Sequence, residues 1–183
     1  DKDPNGSALR SEAIDFMAAA LAEEDWDLSD DIAVDPDYGM TRFNKYMNTG
    51  EPFEAEVLRK FADTLTEQAR YEYAADAYEA YLNRGTCEED VPEVIRVFIG
   101  VLKQSGQFER AAREQAKISE RIGEKSEWYR CQEKNGNLEA LAQADTSMQN
   151  ALKNSIIAYH DMVTLTEEQM HETEYVIEDT SLS

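Results

Sequence analysis

The chain has 183 residues and a formal net charge of -21, from 39 Asp and Glu against 18 Lys and Arg. A surface this acidic repels nucleic-acid phosphates and anionic headgroups, so no nucleic-acid partner is expected. One domain is the default at this length, and 42% hydrophobic residues suffice for a core. Eight Gly and four Pro against many Ala, Glu, Leu and Gln favour helices. No apolar run approaches the ~18–20 residues of a transmembrane helix.

Residues 1–6 read as a flexible end, left by signal cleavage or by cloning. Helical spacing begins at Ser7, a candidate cap, and Leu9, Ile14, Phe16, Met17, Ala20 and Leu21 predict a helix with one apolar stripe to Glu23. Glu23–Asp37 carries eight acids and no base and reads as an acidic loop. A short helix is predicted over Thr41–Met47, then a break at Asn48–Pro52.

Four denser helices follow. Val57, Leu58, Phe61, Ala62 and Leu65 mark Ala55–Gln68, and Tyr73, Ala74, Ala77, Tyr78, Tyr81 and Leu82 mark Tyr71–Asn83, closed by Gly85. Val94, Ile95, Phe98, Ile99 and Leu102 mark Val91–Gln104, with Pro92 in its first turn. After Gly106, Phe108–Ile122 reads as one further helix. Connections of two to seven residues require antiparallel packing. Beyond Gly123, Glu127–Glu133 reads as a short helix and Leu138–Met162 as a long capping helix or oligomer contact. Thr164–Ser183, with six acids and no Lys or Arg, is either a short helix or an acidic tail.

The two hairpins match each other at an offset of 37: Leu58, Phe61, Leu65, Ala69, Tyr71, Ala74 and Tyr78 fall opposite Ile95, Phe98, Leu102, Gly106, Phe108, Ala111 and Gln115. The alanines would let helices approach closely, and Tyr71 and Phe108 would plug the gap after each turn. This pattern resembles the tetratricopeptide repeat over about residues 54–123, with a degenerate third copy over 125–150 that carries Gly136 and Leu138 at its turn. The usual Trp is Leu58 or Ile95, Ala62 becomes Ile99, no Pro closes a repeat, and the offset exceeds the family's ~34 by the length of a larger loop at Gly85–Asp90.

The resemblance implies an all-α fold: antiparallel hairpins stacked as a short tetratricopeptide-like solenoid, with an N-terminal helix and a long C-terminal capping helix. Its segments would be residues 7–52, 53–123, 124–163 and an acidic tail at 164–183. The first helix of each pair would line a groove for a peptide or helix, which places Arg59, Lys60, Asp63 and Glu67 on one groove wall and Arg96, Gly100, Lys103 and Gln104 on the next. The four cations there could receive a carboxylate, or could be surface charges paired with nearby Glu. The carboxylate-clamp members of the family carry an Asn where this chain has Asp63, so binding of a chaperone tail is not expected.

Catalytic chemistry is not visible, and the chain reads as a non-enzyme without cofactor or metal. His171 lies near Glu167 and Glu174, but no second His or Cys accompanies it. The segment from Asp25 begins like a calcium loop, yet its sixth place is Asp30 rather than Gly and its twelfth is Pro36 rather than Glu. Cys87 and Cys131 fit neither a metal motif nor a disulfide framework and read as ordinary thiols. The expectation is a protein-interaction scaffold or adaptor with a protein or peptide partner, cytoplasmic by default, with an exported or periplasmic setting open. The alternatives are a structural subunit using permanent helical interfaces, or a metal-responsive helical protein built on His160, His171 and nearby acids.

Overall fold

The computed structural model describes residues 4–23, 38–84, 87–154 and 156–157. All regular structure among them is α-helical: α1 (Pro4–Ala22), α2 (Tyr38–Tyr46), α3 (Phe53–Glu67), α4 (Tyr71–Asn83), α5 (Val91–Gln104), α6 (Phe108–Ala116), α7 (Ile118–Ile122) and α8 (Glu127–Asn135). A final helix, α9, covers residues 138–154. None is long and apolar enough to cross a membrane. The acidic loop beyond Glu23, Gly85, both histidines and the acidic tail lie outside the described residues.

The packing order follows the chain: α1 against α2 and α3, α3 against α4, α4 against α5, α5 against α6, and α7 against α8. Leu58, Phe61 and Leu65 of α3, Tyr78 and Tyr81 of α4, and Phe98 and Leu102 of α5 form the centre of the core, all essentially without solvent contact. Ala74 and Ala111 are fully buried, which is what close helix approach requires. Phe108 differs from expectation: it is 67% exposed and plugs nothing, whereas Tyr71 is half-buried against the core.

Three turns share one geometry. Ala69, Gly106 and Gly136 have φ of 58°, 77° and 70°, and the following N–H of Arg70, Gln107 and Asn137 donates back to the carbonyl of Leu65, Leu102 and Gln132 at 2.9, 2.8 and 3.0 Å. Each turn closes one helix and starts the next within three residues, so the chain repeats a helix–turn–helix unit as α3–α4, α5–α6 and α8–α9. Only the first of these turns places a side-chain-bearing residue in the left-handed region, where a Cβ crowds the backbone.

Boundaries shift where capping chemistry is local. Helix α1 starts at Pro4, so Ser7 lies within it instead of capping it. Its buried stripe is Ile14, Ala18, Leu21 and Ala22, leaving Leu9 and Phe16 exposed. The last turn of α1 has no cation of its own. Instead Arg42 of α2 and Arg70 of the α3–α4 turn donate to the carbonyls of Ala20 and Ala22, both at 2.7 Å, satisfying acceptors that a helix end leaves open. The helix predicted over Phe108–Ile122 breaks at Lys117 into α6 and α7, where the buried Glu114 carboxylate takes Lys117 and Arg121 at 2.9 Å each. Burial opposes its charge, but those two cations outweigh burial and hold its pKa below the ordinary value.

The cysteines overturn the reading as ordinary thiols: Cys87 and Cys131 form a disulfide with Cα atoms 6.0 Å apart, joining α8 to the loop before α5. Trp128 Nε1 donates to the Glu88 carbonyl at 2.7 Å and Gln132 Nε2 to the Cys87 carbonyl at 2.8 Å, so the same helix face clamps the same loop. Two cysteines without a spacing motif carry no pairing information; proximity arises only when α8 folds back over 44 residues.

Gly39 has a packing role. A Cβ there would stand 2.4 Å from the Leu21 carbonyl oxygen and 2.4 Å from Phe61 Cζ. The backbone carbonyl cannot swing away as a side-chain end could. Gly39→Ala is therefore expected to destabilise the fold by about 2 kcal/mol, read as a lower denaturation midpoint at unchanged slope. An unchanged midpoint would mean that α2 slides freely over α1 and α3.

Candidate functional site

The structure distributes the sequence-predicted groove residues over two separate clefts. The first runs between α1, α3 and the start of α5, as adjoining recesses of about 610 and 440 Å3. Arg59, Lys60 and Asp63 line both recesses, and Glu67 lines the second.

In this cleft α1 already lies over α3. Arg10 pairs with Glu56, and Lys60 pairs with Asp15 at 3.0 Å. Arg59 bridges two carboxylates, Asp63 at 3.1 Å and Asp90 at 2.6 Å. Each of those acids is held by a buried tyrosine of α4: Tyr78 donates to Asp63 at 2.6 Å and Tyr81 to Asp90 at 2.9 Å. Burial works against the Arg59 charge, but Asp63 and Asp90 offset it and leave its pKa raised. Burial and the Asp63 carboxylate also push the Tyr78 hydroxyl up, so it stays a proton donor. This network ties α3, α4 and the start of α5 together as a structural joint.

The electrostatic balance of the first cleft is acidic. Among the described residues its larger recess is lined by three basic ones (Arg10, Arg59, Lys60) and six acidic ones (Asp15, Glu56, Asp63, Glu88, Glu89, Asp90). Burial and the neighbouring Asp90, Glu56 and Glu89 raise the pKa of Glu88. Arg59 and Lys60 are thus paired within the chain, and the surface around them offers an acidic peptide no surplus positive charge.

The second cleft runs between α5 and α9. One end, about 210 Å3, has an aliphatic floor of Ile95, Ile99 and Ile118 beneath Arg96, Gly100 and Lys103 of α5 and Asn150, Ala151 and Asn154 of α9. It opens along α5 into a polar recess of about 600 Å3 that reaches Glu93, Glu139 and Gln143. Gln115 spans the floor and donates to the Ala151 carbonyl at 3.3 Å. Arg96 is paired with Glu93 one turn back on α5, its Nε at 2.8 Å from the carboxylate. Lys103 is exposed at the rim. Gln104, the last residue of α5, is exposed and lines neither cleft.

Two features here were not visible in the sequence. Ile99, which departs from the repeat pattern's small residue, supplies part of the cleft floor. The α9 wall of Asn150, Ala151 and Asn154 is contributed by a helix whose packing partner no local pattern specifies. Among the described residues no group of His, Cys, Asp and Glu is arranged to hold a metal ion.

No protein-family model, curated protein or solved structure matches this chain.

Proposed function

We propose that the chain is a tetratricopeptide-like interaction module that docks a segment of a partner protein in the cleft between α5 and α9. The observation that carries this reading is Gly100. It sits inside α5, where glycine costs about 1 kcal/mol relative to alanine. A Cβ at this position would meet no described residue within 4 Å, so the described residues supply no packing reason for the gap. The glycine leaves backbone and aliphatic floor open on a concave wall. The three repeated turns support a repeat architecture, in which the first helix of a unit, here α5, presents such a wall, while the facing wall is α9, the second helix of its pair. The first cleft is a weaker docking candidate, because α1 and internal ion pairs already occupy it.

Gly100→Ala is expected to raise stability by about 0.5–1 kcal/mol in denaturant unfolding, because it restores helix propensity without a clash. A bulkier change, Gly100→Phe, fills the cleft. Affinity capture from native lysate should recover a partner with the intact protein and with Gly100→Ala, and lose it with Gly100→Phe at preserved melting behaviour. Retention by Gly100→Phe would exclude this cleft as the docking site.

A second reading rests on α9. Leu152 of α9 and, just beyond its described range, Ile156 and Ile157 are exposed. This is the patch expected of a structural subunit using permanent helical interfaces. Leu152→Glu with Ile156→Glu should then abolish a self-associated or co-purifying state in sedimentation, while leaving the Gly100-dependent capture intact.

The Cys87–Cys131 disulfide supports an exported or otherwise oxidising setting in preference to the cytoplasm. Thiol labelling of the protein taken directly from its native cells tests this: a cytoplasmic resident would label at both cysteines without prior reduction.

A further inference from the structure

The narrow end of the α5–α9 cleft differs from the rest of the molecule in charge. The chain carries 39 acids in 183 residues, yet among the described residues no Asp or Glu lines this end. Its rim instead holds Arg96, Lys103 and the amides of Asn150 and Asn154, while the Gln115 amide crosses the floor to the Ala151 carbonyl. Arg96 shares its charge with Glu93, whereas no described residue pairs with Lys103. The volume of about 210 Å3 is below the ~300–1,000 Å3 of a small-molecule pocket and suits a single side chain.

We propose that this end captures one aliphatic side chain of an anionic peptide, with the adjoining carboxylate received by Lys103 and the rim amides. This rests on the docking reading above and specifies its ligand class. Ile95, Ile99 and Ile118 take the aliphatic group, and removal of that surface from water supplies affinity without direction. Lys103 supplies the direction, because a charge-assisted hydrogen bond is shorter and stronger than a neutral one and fixes where the carboxylate sits. Among the described residues no acid at this end competes for Lys103, in contrast to the first cleft, where Arg59 and Lys60 are paired within the chain. Either a C-terminal carboxylate or an Asp or Glu side chain beside the aliphatic residue provides the same chemistry.

The test is a chemical-shift titration of the isotope-labelled full chain with three Gly/Ser-rich decapeptides: one ending in Leu with a free carboxylate, one ending in Leu amide, and one with an internal Leu-Asp pair. The expected result is saturable shifts at Gly100, Lys103 and Asn154 with a carboxylate-bearing peptide, and affinity at least tenfold weaker for the amide. Lys103→Glu should remove that preference, and Gly100→Phe should remove binding altogether. Response to the free C-terminus alone, or to Leu-Asp as well, identifies the carboxylate source. Equal binding of the amide overturns the carboxylate assignment while leaving the cleft a docking site. Failure of all three peptides at millimolar concentration, with partner capture still lost in Gly100→Phe, overturns the ligand class and not the docking reading. If capture is also insensitive to Gly100→Phe, both fall.

Discussion

Reduction of the Cys87–Cys131 bridge should lower the melting temperature by about 10 °C. The bridge closes a 44-residue separation, and the chain-entropy relation gives about 4 kcal/mol for a loop of that length. A protein of this size converts each kcal/mol to about 2–4 °C. The effect should also be regional. Trp128 and Gln132 hold the α5-leading loop only while α8 is seated, and α9 follows α8 directly. Hydrogen exchange after reduction should therefore accelerate first in α8 and α9, with α3 and α4 protected longest. A Cys87→Ala/Cys131→Ala variant should match the reduced protein. Melting within 1–2 °C of the oxidised protein would show that the bridge adds no constraint beyond the packing of α8, ~2 °C being the effect of a single kcal/mol.

Glu54→Gln should produce the other large loss, about 2–4 kcal/mol at neutral pH, because it breaks a buried charged cluster from one side. Glu54 has no solvent exposure. Its carboxylate accepts from Thr49 N at 2.8 Å, Thr49 Oγ1 at 2.6 Å, Gly50 N at 3.1 Å and Arg84 Nη1 at 2.8 Å. Burial alone would raise its pKa, but the Thr49 and Gly50 donors and Arg84 outweigh it and bring it down to about 2. The Gln amide would turn a donor toward Thr49 or Gly50 and take the carboxylate from Arg84, which would keep the Asn48 side-chain oxygen at 2.9 Å.

Because the folded pKa lies below the ordinary 4.5, the unfolded chain binds the proton first on acidification. The Glu54 contribution is complete above about pH 4.5 and drains away as pH falls toward about 2. Denaturant midpoints at pH 7 and pH 3 check this: the native protein should lose more stability between them than Glu54→Gln does. Equal losses in the two proteins would mean that the cluster does not hold the charge.

Helix identity was legible in the sequence wherever apolar spacing ran for three turns or more, as in α3, α4 and α5, since burying one stripe on a neighbour is what such spacing permits. The three turns at Ala69, Gly106 and Gly136 were legible too, because a small residue between two periodic segments fits a left-handed turn. Helix ends were less so: α1 reaches back to Pro4, and the helix after Phe108 breaks at Lys117, where Glu114 takes Lys117 and Arg121. Of the groove candidates, Gly100 and Lys103 lie at the cleft end where no described residue is acidic, whereas Arg59 and Lys60 are consumed by internal pairs with Asp63, Asp90 and Asp15. Charge type is written in the sequence, but charge availability depends on which carboxylate arrives across space.

The sequence by itself determined that the chain is helical, acidic and arranged in helix pairs, since composition and 3.6-residue periodicity act locally. Tertiary structure alone decided that Cys87 meets Cys131, that Glu54 becomes a buried acceptor, and that α9 closes a cleft over Ile95, Ile99 and Ile118. Each of these depends on segments about 30 or more residues apart reaching one point, and no local pattern encodes that distance.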